Sequence, residues 1–400
     1  MELDKKRQIE IVEPYKLPDG WKWCKQSEVC KLVDGEKIAD KEYPYLEVKY
    51  LRGNKEKKYV TSGKFISAGT KVILVDGENS GEVFTVPEDG FMGSTFKALS
   101  IQNVNEEYLQ LFIETKKDLY RNNKKGSAIP HLNKDLFFNM PFPLPPINSQ
   151  LSIVNSIETM FAKLDQAQEK AQSVLDSFET RKAAILHKAF TGQLKIDNEE
   201  LTIDDWEDTT IGECCKLGSG GTPSKSHPEY YENGDIPWLK TGEIDWNDIY
   251  DVEEKITNEG VENSSAKIFP AESVVVAMYG MGVTRGKAAI IKIPTTTNQA
   301  VCVLQPNEKL NNRFLFYYFM CNYWQIREQS VGGNQLNLSG KIIASFPIKL
   351  PPLNYQLSIV NFLDTVLEKE TRAKEAAQTV LDQIALLKKS ILARAFRGEL

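Results

Sequence analysis

Histidine occurs only three times in 400 residues and cysteine only six times. Cys24, Cys30, Cys214, Cys215, Cys302 and Cys321 form no Cys-x-x-Cys pair, and the histidines lie far apart, so neither a zinc site nor a disulfide frame is expected. No apolar run of about 18 residues occurs, and the polar start Met1–Arg7 lacks the apolar centre of a secretory signal. Both absences point to a reduced, cytoplasmic protein with no membrane partner. A Gly-x-x-x-x-Gly-Lys-[Ser/Thr] phosphate loop is missing as well. Gly280–Ala288 comes nearest, with one residue too many between its glycines and an alanine where the hydroxyl belongs. No methyltransferase signature of the Asn-Pro-Pro-aromatic type is present, and no histidine forms a defensible nucleophile–base pair with a serine or cysteine. Glu47, Lys49 and either Asp34 or Asp40 can be drawn as a metal-nuclease triplet, but acid-x-Lys triplets arise by chance in a chain with 26% charged residues. These gaps leave a binding protein with no catalytic residue, metal or cofactor of its own.

What is present is a repeat. Residues 144–194 recur without a gap at 350–400, an offset of 206, and about half of the 51 paired positions are identical. Each copy opens on a Pro-Pro pair (Pro145 and Pro146, or Pro351 and Pro352) and closes at Gly192 or Gly398. Roughly 40 residues lie between with neither Pro nor Gly, which punctuates one long helix of about 60 Å. Val154, Ile157, Phe161, Leu164, Gln168, Ala171 and onward to Ala189 step by threes and fours, and Val360 to Ala395 do the same. Such a stripe must be covered by another helix. The other copy is the available partner, with Lys182, Glu370 and Lys388 as polar seam positions that fix register. Because each globule precedes its helix, the packing is expected to be antiparallel, with Phe161 and Leu164 against Ile384–Ile391. The competing reading, two ordinary helices in separate domains, sits poorly with a length several times the usual ~11–12 residues.

The repeat extends to whole halves. Trp21–Leu32 aligns with Trp206–Leu217 at an offset of 185, so the second half holds 21 more residues between its start and its helix. Each half alternates short apolar runs with turns. A helical stretch follows (106–120 or 312–328), then a polar Gly-containing loop (125–133 or 331–339). The expected fold class is α+β: two pseudo-repeated globules of mixed α/β structure, residues 1–143 and 195–349, joined by two long helices, 144–194 and 350–400, packed as an antiparallel coiled coil.

Net charge is −6, which argues against a lone nucleic-acid binder. Its distribution is uneven. Lys49–Lys64 and Lys116–Lys134 each carry six basic residues and one acid, whereas Glu232–Glu262 carries ten acids and two bases. Lys55, Lys57, Lys58, Lys124 and Lys125 are therefore candidate phosphate contacts, although a solvated lysine face gives the same count. The loops Asp76–Gly81, Lys125–Asn133, Ser219–Lys225 and Gly332–Asn337 join glycine freedom to polar donors suited to base edges. As plain surface loops they need no ligand.

Two dissimilar globules, each followed by a near-identical long helix, resemble the specificity (S) subunit of type I restriction-modification enzymes. The likeness rests on Gly220–Lys225, Gly234–Trp238, Asn298 with Gln299, Gly332–Gln335 and the two Leu-Pro-Pro-x-Asn-x-Gln-x-x-Ile-Val segments. In the first globule, Asp76–Gly81 and Gly126–Leu132 look like the other common type of target-recognition domain. The resemblance implies that each globule reads half of a split double-stranded DNA sequence while the helices act as a spacer. Candidate base or backbone contacts are then Asn79, Ser80, Ser127 and His131 in the first half. In the second they are Thr222, Ser224, Lys225, Trp238, Lys240 and Arg285, with Asn298, Gln299, Asn334 and Gln335. Two methyltransferase subunits and ATP-driven endonuclease subunits are the implied partners, carrying the catalysis, S-adenosylmethionine and ATP-Mg. The competing class is a scaffold whose coiled coil joins two protein-binding globules.

Overall fold

The computed structural model describes residues 14–126, 130–196, 199–200, 203, 206–280, 282–330 and 337–400. The chain forms two compact units. One comprises Met1–Gln172 with Gln378–Leu400, the other Ser173–Ala377.

In the first unit the strand Lys22–Lys25 pairs antiparallel with Pro141–Leu144, tying the start of the globule to its end. Cys30–Val33, Phe96–Ile101, Lys71–Leu74 and Val83–Thr85 form a four-stranded antiparallel sheet in that order. Glu36–Leu46, Tyr59–Ile66 and Gly90–Met92 close a small barrel. Sequence reading assigned nothing there, because Glu36–Leu46 exposes most of its residues and shows no apolar alternation. The second unit repeats the plan. Glu207–Thr210 pairs with Pro347–Leu350, and Cys215–Ser219 opens a five-stranded sheet with Val301–Pro306, Val274–Ala277, Ala288–Ile291 and Asp248–Ile249. A separate small sheet joins Lys255–Ile256, Ile236–Leu239 and Thr296–Thr297.

Both helical stretches break at repeat-related residues. Glu106–Thr115 is followed by Lys117–Asn122, and Asn312–Cys321 by Tyr323–Glu328. Lys116 at the first break has φ −100° and ψ 0°, a sparsely used bridge conformation. At the second, Asn322 turns its side-chain amide onto the carbonyl of Tyr318, 2.9 Å away, a local bond that competes with continued helix.

The long helices run from Ile147 to Phe190 and from Leu353 to Ala395, 44 and 43 residues, or about 65 Å each. The glutamine of each Leu-Pro-Pro motif anchors its helix to the preceding globule. Buried Gln150 accepts from the Asn105 amide and donates to the Pro145 carbonyl, both at 2.8 Å. Buried Gln356 accepts from Asn311 N and donates to the carbonyls of Lys309 and Pro351, all at 2.8 Å. Asn105 and Asn311 in turn cap the next helix, each accepting from the amide three residues on. At the far ends Gly192 and Gly398 take left-handed φ of 68° and 72°. The following amides return to the carbonyls of Lys188 and Arg394 at 3.1 and 3.0 Å, the closure that stops a helix at glycine.

Within each unit the helices meet antiparallel, as the globule-then-helix order implied. In the first, Lys388 lies over the Phe161 ring and pairs with Asp165, while Ile153, Val154 and Ile157 share a core with Leu392, Ala395 and Phe396. In the second, Arg181 pairs with Glu370 at 2.8 Å and Lys374 lies 4.4 Å from the Phe178 ring centre. Two positions of the expected stripes, Gln168 and Lys374, are exposed. Ala167 turns inward in place of Gln168, as happens when a 3.6-residue helix drifts against a strict heptad count.

Candidate nucleic-acid interface

In the first unit, two polar loops some 50 residues apart in sequence close on one another. Asp76 and Lys125 both bridge to His131. Gly77 N donates to Pro130 O at 2.7 Å, Leu132 N donates to Val75 O at 2.8 Å, and Lys125 and His131 exchange backbone bonds of 2.9 and 2.8 Å. Nδ1 of exposed His131 lies 2.6 Å from Asp76 Oδ1, so the carboxylate orients the ring. Lys124 donates to the Glu78 carbonyl and pairs with its carboxylate, and Lys125 pairs with Asp135. Asn79 is half-buried at the rim. Ser80 is fully buried, its hydroxyl without a partner, and so presents no donor at the surface. Ser127 lies outside the described residues.

The lysine cluster behind these loops is largely neutralised. Lys55 pairs with Glu47, Lys57 with Glu88, Arg52 with Glu82 and Lys64 with Asp34. Lys58 is exposed and, among the described residues, has no carboxylate partner. The acids stand at 34, 47, 82 and 88, all outside the window in which the lysines were counted. Asp34 also binds Lys97, and Glu47 serves Lys55. Two carboxylates of the nuclease triplet, Asp34 and Glu47, are thus engaged in ion pairs, and among the described residues no group of three metal-ligating side chains is found.

In the second unit the glycine-rich turn packs on the strand Thr296–Thr297. A Cβ on Gly220 would lie 1.9 Å from the Thr297 carbonyl oxygen, and one on Gly221 1.9 Å from Ser265 Oγ, so only glycine permits the approach. Thr222 Oγ1 reaches Gln299 Oε1 at 2.6 Å, bringing together two exposed side chains 77 positions apart. Ser224 bonds Ser226, and Lys225 is exposed. Asn298 accepts from the Ala300 amide, shaping the turn that presents Gln299. Trp238 is placed otherwise. It is 2% exposed, its Nε1 donates to the Gly221 carbonyl at 3.0 Å, and its ring packs with Ile256 and Ala266. It supports the turn from beneath. Lys240 pairs with Glu254, whose hydrogen bond raises its pKa. Arg285 is half-buried, and burial followed by the nearby Arg327 lowers its pKa. Asn334 and Gln335 lie outside the described residues.

Sequence reasoning missed Asp76, Glu78 and Glu254, the acids that hold His131, Lys124 and Lys240. Its search favoured donors and cations, and Asp76 and Glu78 lie 55 and 46 positions from their partners, Glu254 only 14. Residues 18–175 and 203–381 both match the family described as the type I restriction modification DNA specificity domain. The chain belongs to that family.

Among its relatives, the MjaVIII specificity subunit of Methanocaldococcus jannaschii is 25% identical over 430 residues, spanning all of this chain and 97% of the relative. The EcoR124I/EcoR124II specificity subunit of Escherichia coli is 32% identical over 163 residues, 40% of each chain. The HsdS subunit from Thermoanaerobacter tengcongensis superposes with a TM-score of 0.65 at 20% identity, over 97% of this chain and 99% of that one. A chain of a type I R-M system, solved for its complex assembly and conformational transition, superposes with a TM-score of 0.72 at 19% identity, over 97% and 100%. These superpositions extend the shared fold across both units of this specificity subunit. No helix among its described residues is long and apolar enough to cross a membrane.

Proposed function

We propose that this specificity subunit reads a bipartite DNA sequence, one half with residues 1–143 and the other with 195–349. The segments 144–194 and 350–400 then seat two methyltransferase subunits and the endonuclease subunits of a type I complex in the cytoplasm. The observation that carries the reading is the doubled specificity domain, with sequence-distant polar residues brought together in each unit: 76–78 with 124–125 and 130–131, and 220–222 with 297–299. Catalysis and its cofactors belong to the partner subunits. The acidic stretch Glu232–Glu262 leaves part of the phosphate neutralisation to them.

Methylome sequencing of the host, with and without this gene, tests the reading. A split motif should vanish on deletion. Replacing Thr222 and Gln299 with alanine should relax one half of the motif only, since a good bidentate base contact contributes roughly 1–3 kcal/mol of discrimination. A motif indifferent to deletion, together with no DNA shift in the presence of the methyltransferase subunit, would leave the protein-scaffold reading in its place.

A further inference from the structure

Repeat-related cavities open in the two units where the end of a long helix meets the globule's helix pair. The first has a volume of about 440 Å³ and the second about 800 Å³. They share a framework at the 206-residue offset: Phe396 and Leu392 floor the first, Phe190 and Leu186 the second, with Lys388 and Lys182 at the wall. Their chemistry differs. The first is rimmed by cations, three of which are neutralised: Lys117 by Glu114, Lys389 by Asp118 and Lys388 by Asp165.

Lys116, Arg121 and Arg397 line the same cavity and have no carboxylate partner among the described residues. Nε of Arg121 is buried without a hydrogen-bond partner. The Lys116 ammonium sits 5.2 Å from the Phe112 ring centre, and its pKa is lowered by burial and then by the charge of Arg397. Like charges converging in a partly desolvated cleft oppose folding unless an anion enters.

The second cavity shows that the framework does not require those charges. Asn322 stands where the first has Lys116, and Thr191 where it has Arg397. Arg327, the counterpart of Arg121, is occupied: it donates to the carbonyls of Gly282, at 2.8 Å, and Arg285, and stacks on Tyr323 and Trp324.

We propose that the first cavity is a phosphate-binding site, with Lys116, Arg121 and Arg397 directed at one phosphoryl group. Two guanidinium groups and an ammonium match a multiply charged oxyanion better than a single carboxylate. The phosphate has two possible sources. One is a small ligand such as pyrophosphate. The other is a backbone phosphate of bound DNA, since the helix Lys117–Asn122 leads directly into Lys124 and Lys125; this source alone rests on the DNA-reading proposal above.

The test uses the full chain and the double variant K116N/R397T, which installs the residues the second unit carries at the same places. Circular dichroism checks that it folds. Pyrophosphate should raise the Tm of the natural chain above that seen with chloride at equal ionic strength, and should leave the variant unmoved. If DNA is the source, the slope of log affinity against log salt should fall by about one in the variant, with the recognised motif unchanged. Either result supports the site and names its source. A folded variant that matches the natural chain in both arms overturns the proposal. So does stabilisation of the natural chain by a polyglutamate peptide without any response to phosphate or DNA, which would assign the cavity to an acidic protein segment. A chain that bound no DNA would still answer in the pyrophosphate arm, so the two proposals fail separately.

Discussion

Gln150 and Gln356 are identical letters in a repeated motif, and the sequence alone says nothing more of them. Their fully formed amide networks explain the identity, because each seats a long helix on the cap of another. Leucine keeps the volume but strands buried backbone groups, at roughly 1–3 kcal/mol for each group left unpaired. Urea unfolding should show Gln356→Leu losing more than Gln150→Leu, three backbone partners against two; equal stability to the natural chain would remove the anchor. Asp34 offers a second test at this scale. Hydrogen bonds from Lys64 and Lys97 hold its pKa at about 2, below its unfolded value of about 3.9. The stability it adds is therefore complete above pH 4 and lost as pH falls from 4 toward 2. Asp34→Asn should flatten that part of the acid unfolding curve at low salt, and the difference should shrink at high salt, because the group is half exposed. Ser80 and Trp238 mark what residue types cannot reveal. Both read as surface donors in Gly- and Pro-rich loops, yet the chain turns both inward, and orientation depends on strands formed with distant residues.

The long helices were the most legible elements, since proline, glycine and a three-four apolar stripe are local signals. Their pairing direction was legible too, from the order of globule and helix. Residues in unlike halves meet as the antiparallel seam requires, through the tips of long side chains, so the pair Asp165→Cys/Lys388→Cys should be joined by a short bifunctional thiol reagent, as should Glu179→Cys/Lys374→Cys. Mass spectrometry of the cross-linked peptides decides it, and absence of both links in folded protein would refute the seam. The barrel of Glu36–Leu46, Tyr59–Ile66 and Gly90–Met92 was illegible, because its strands are held by backbone pairing and a few aromatic contacts, Tyr43 with Phe65 and Phe91, rather than by an alternating apolar face. Pairing of the first-unit loops through Asp76 and His131 was equally hidden, as it depends on neighbouring strands placing residues 55 positions apart side by side.

For the whole molecule, the two long helices have nearly equal length although the second half holds 21 more residues between its opening tryptophan and its helix. If helix length meters the gap in the recognised sequence, adding four residues within each helix lengthens it by about 6 Å, a little under two base pairs at ~3.4 Å per step. Four residues turn a helix only slightly past one full turn, so the reading faces stay nearly aligned. Methylome sequencing should report a longer gap with both half-sites intact, whereas four residues inserted after Gly192, beyond the helix end, should leave the gap unchanged. A constant gap in the lengthened helices would show that they do not meter it.

The burial of Phe396 against Tyr108 and Phe112 also sets a schedule for synthesis. A ribosome adding about 5–20 residues per second needs roughly 15–60 s to travel from Tyr108 to Phe396, and through that interval the first unit's aromatic core stands open. The second unit is one unbroken stretch, Ser173–Ala377, and its matching aromatic, Phe190, emerges before the rings of Phe314 and Tyr318 that receive it. The half encoded later can therefore finish first. A chain broken off between residues 377 and 396 would hold every residue of the second unit while the first still lacked the ring that closes its aromatic core.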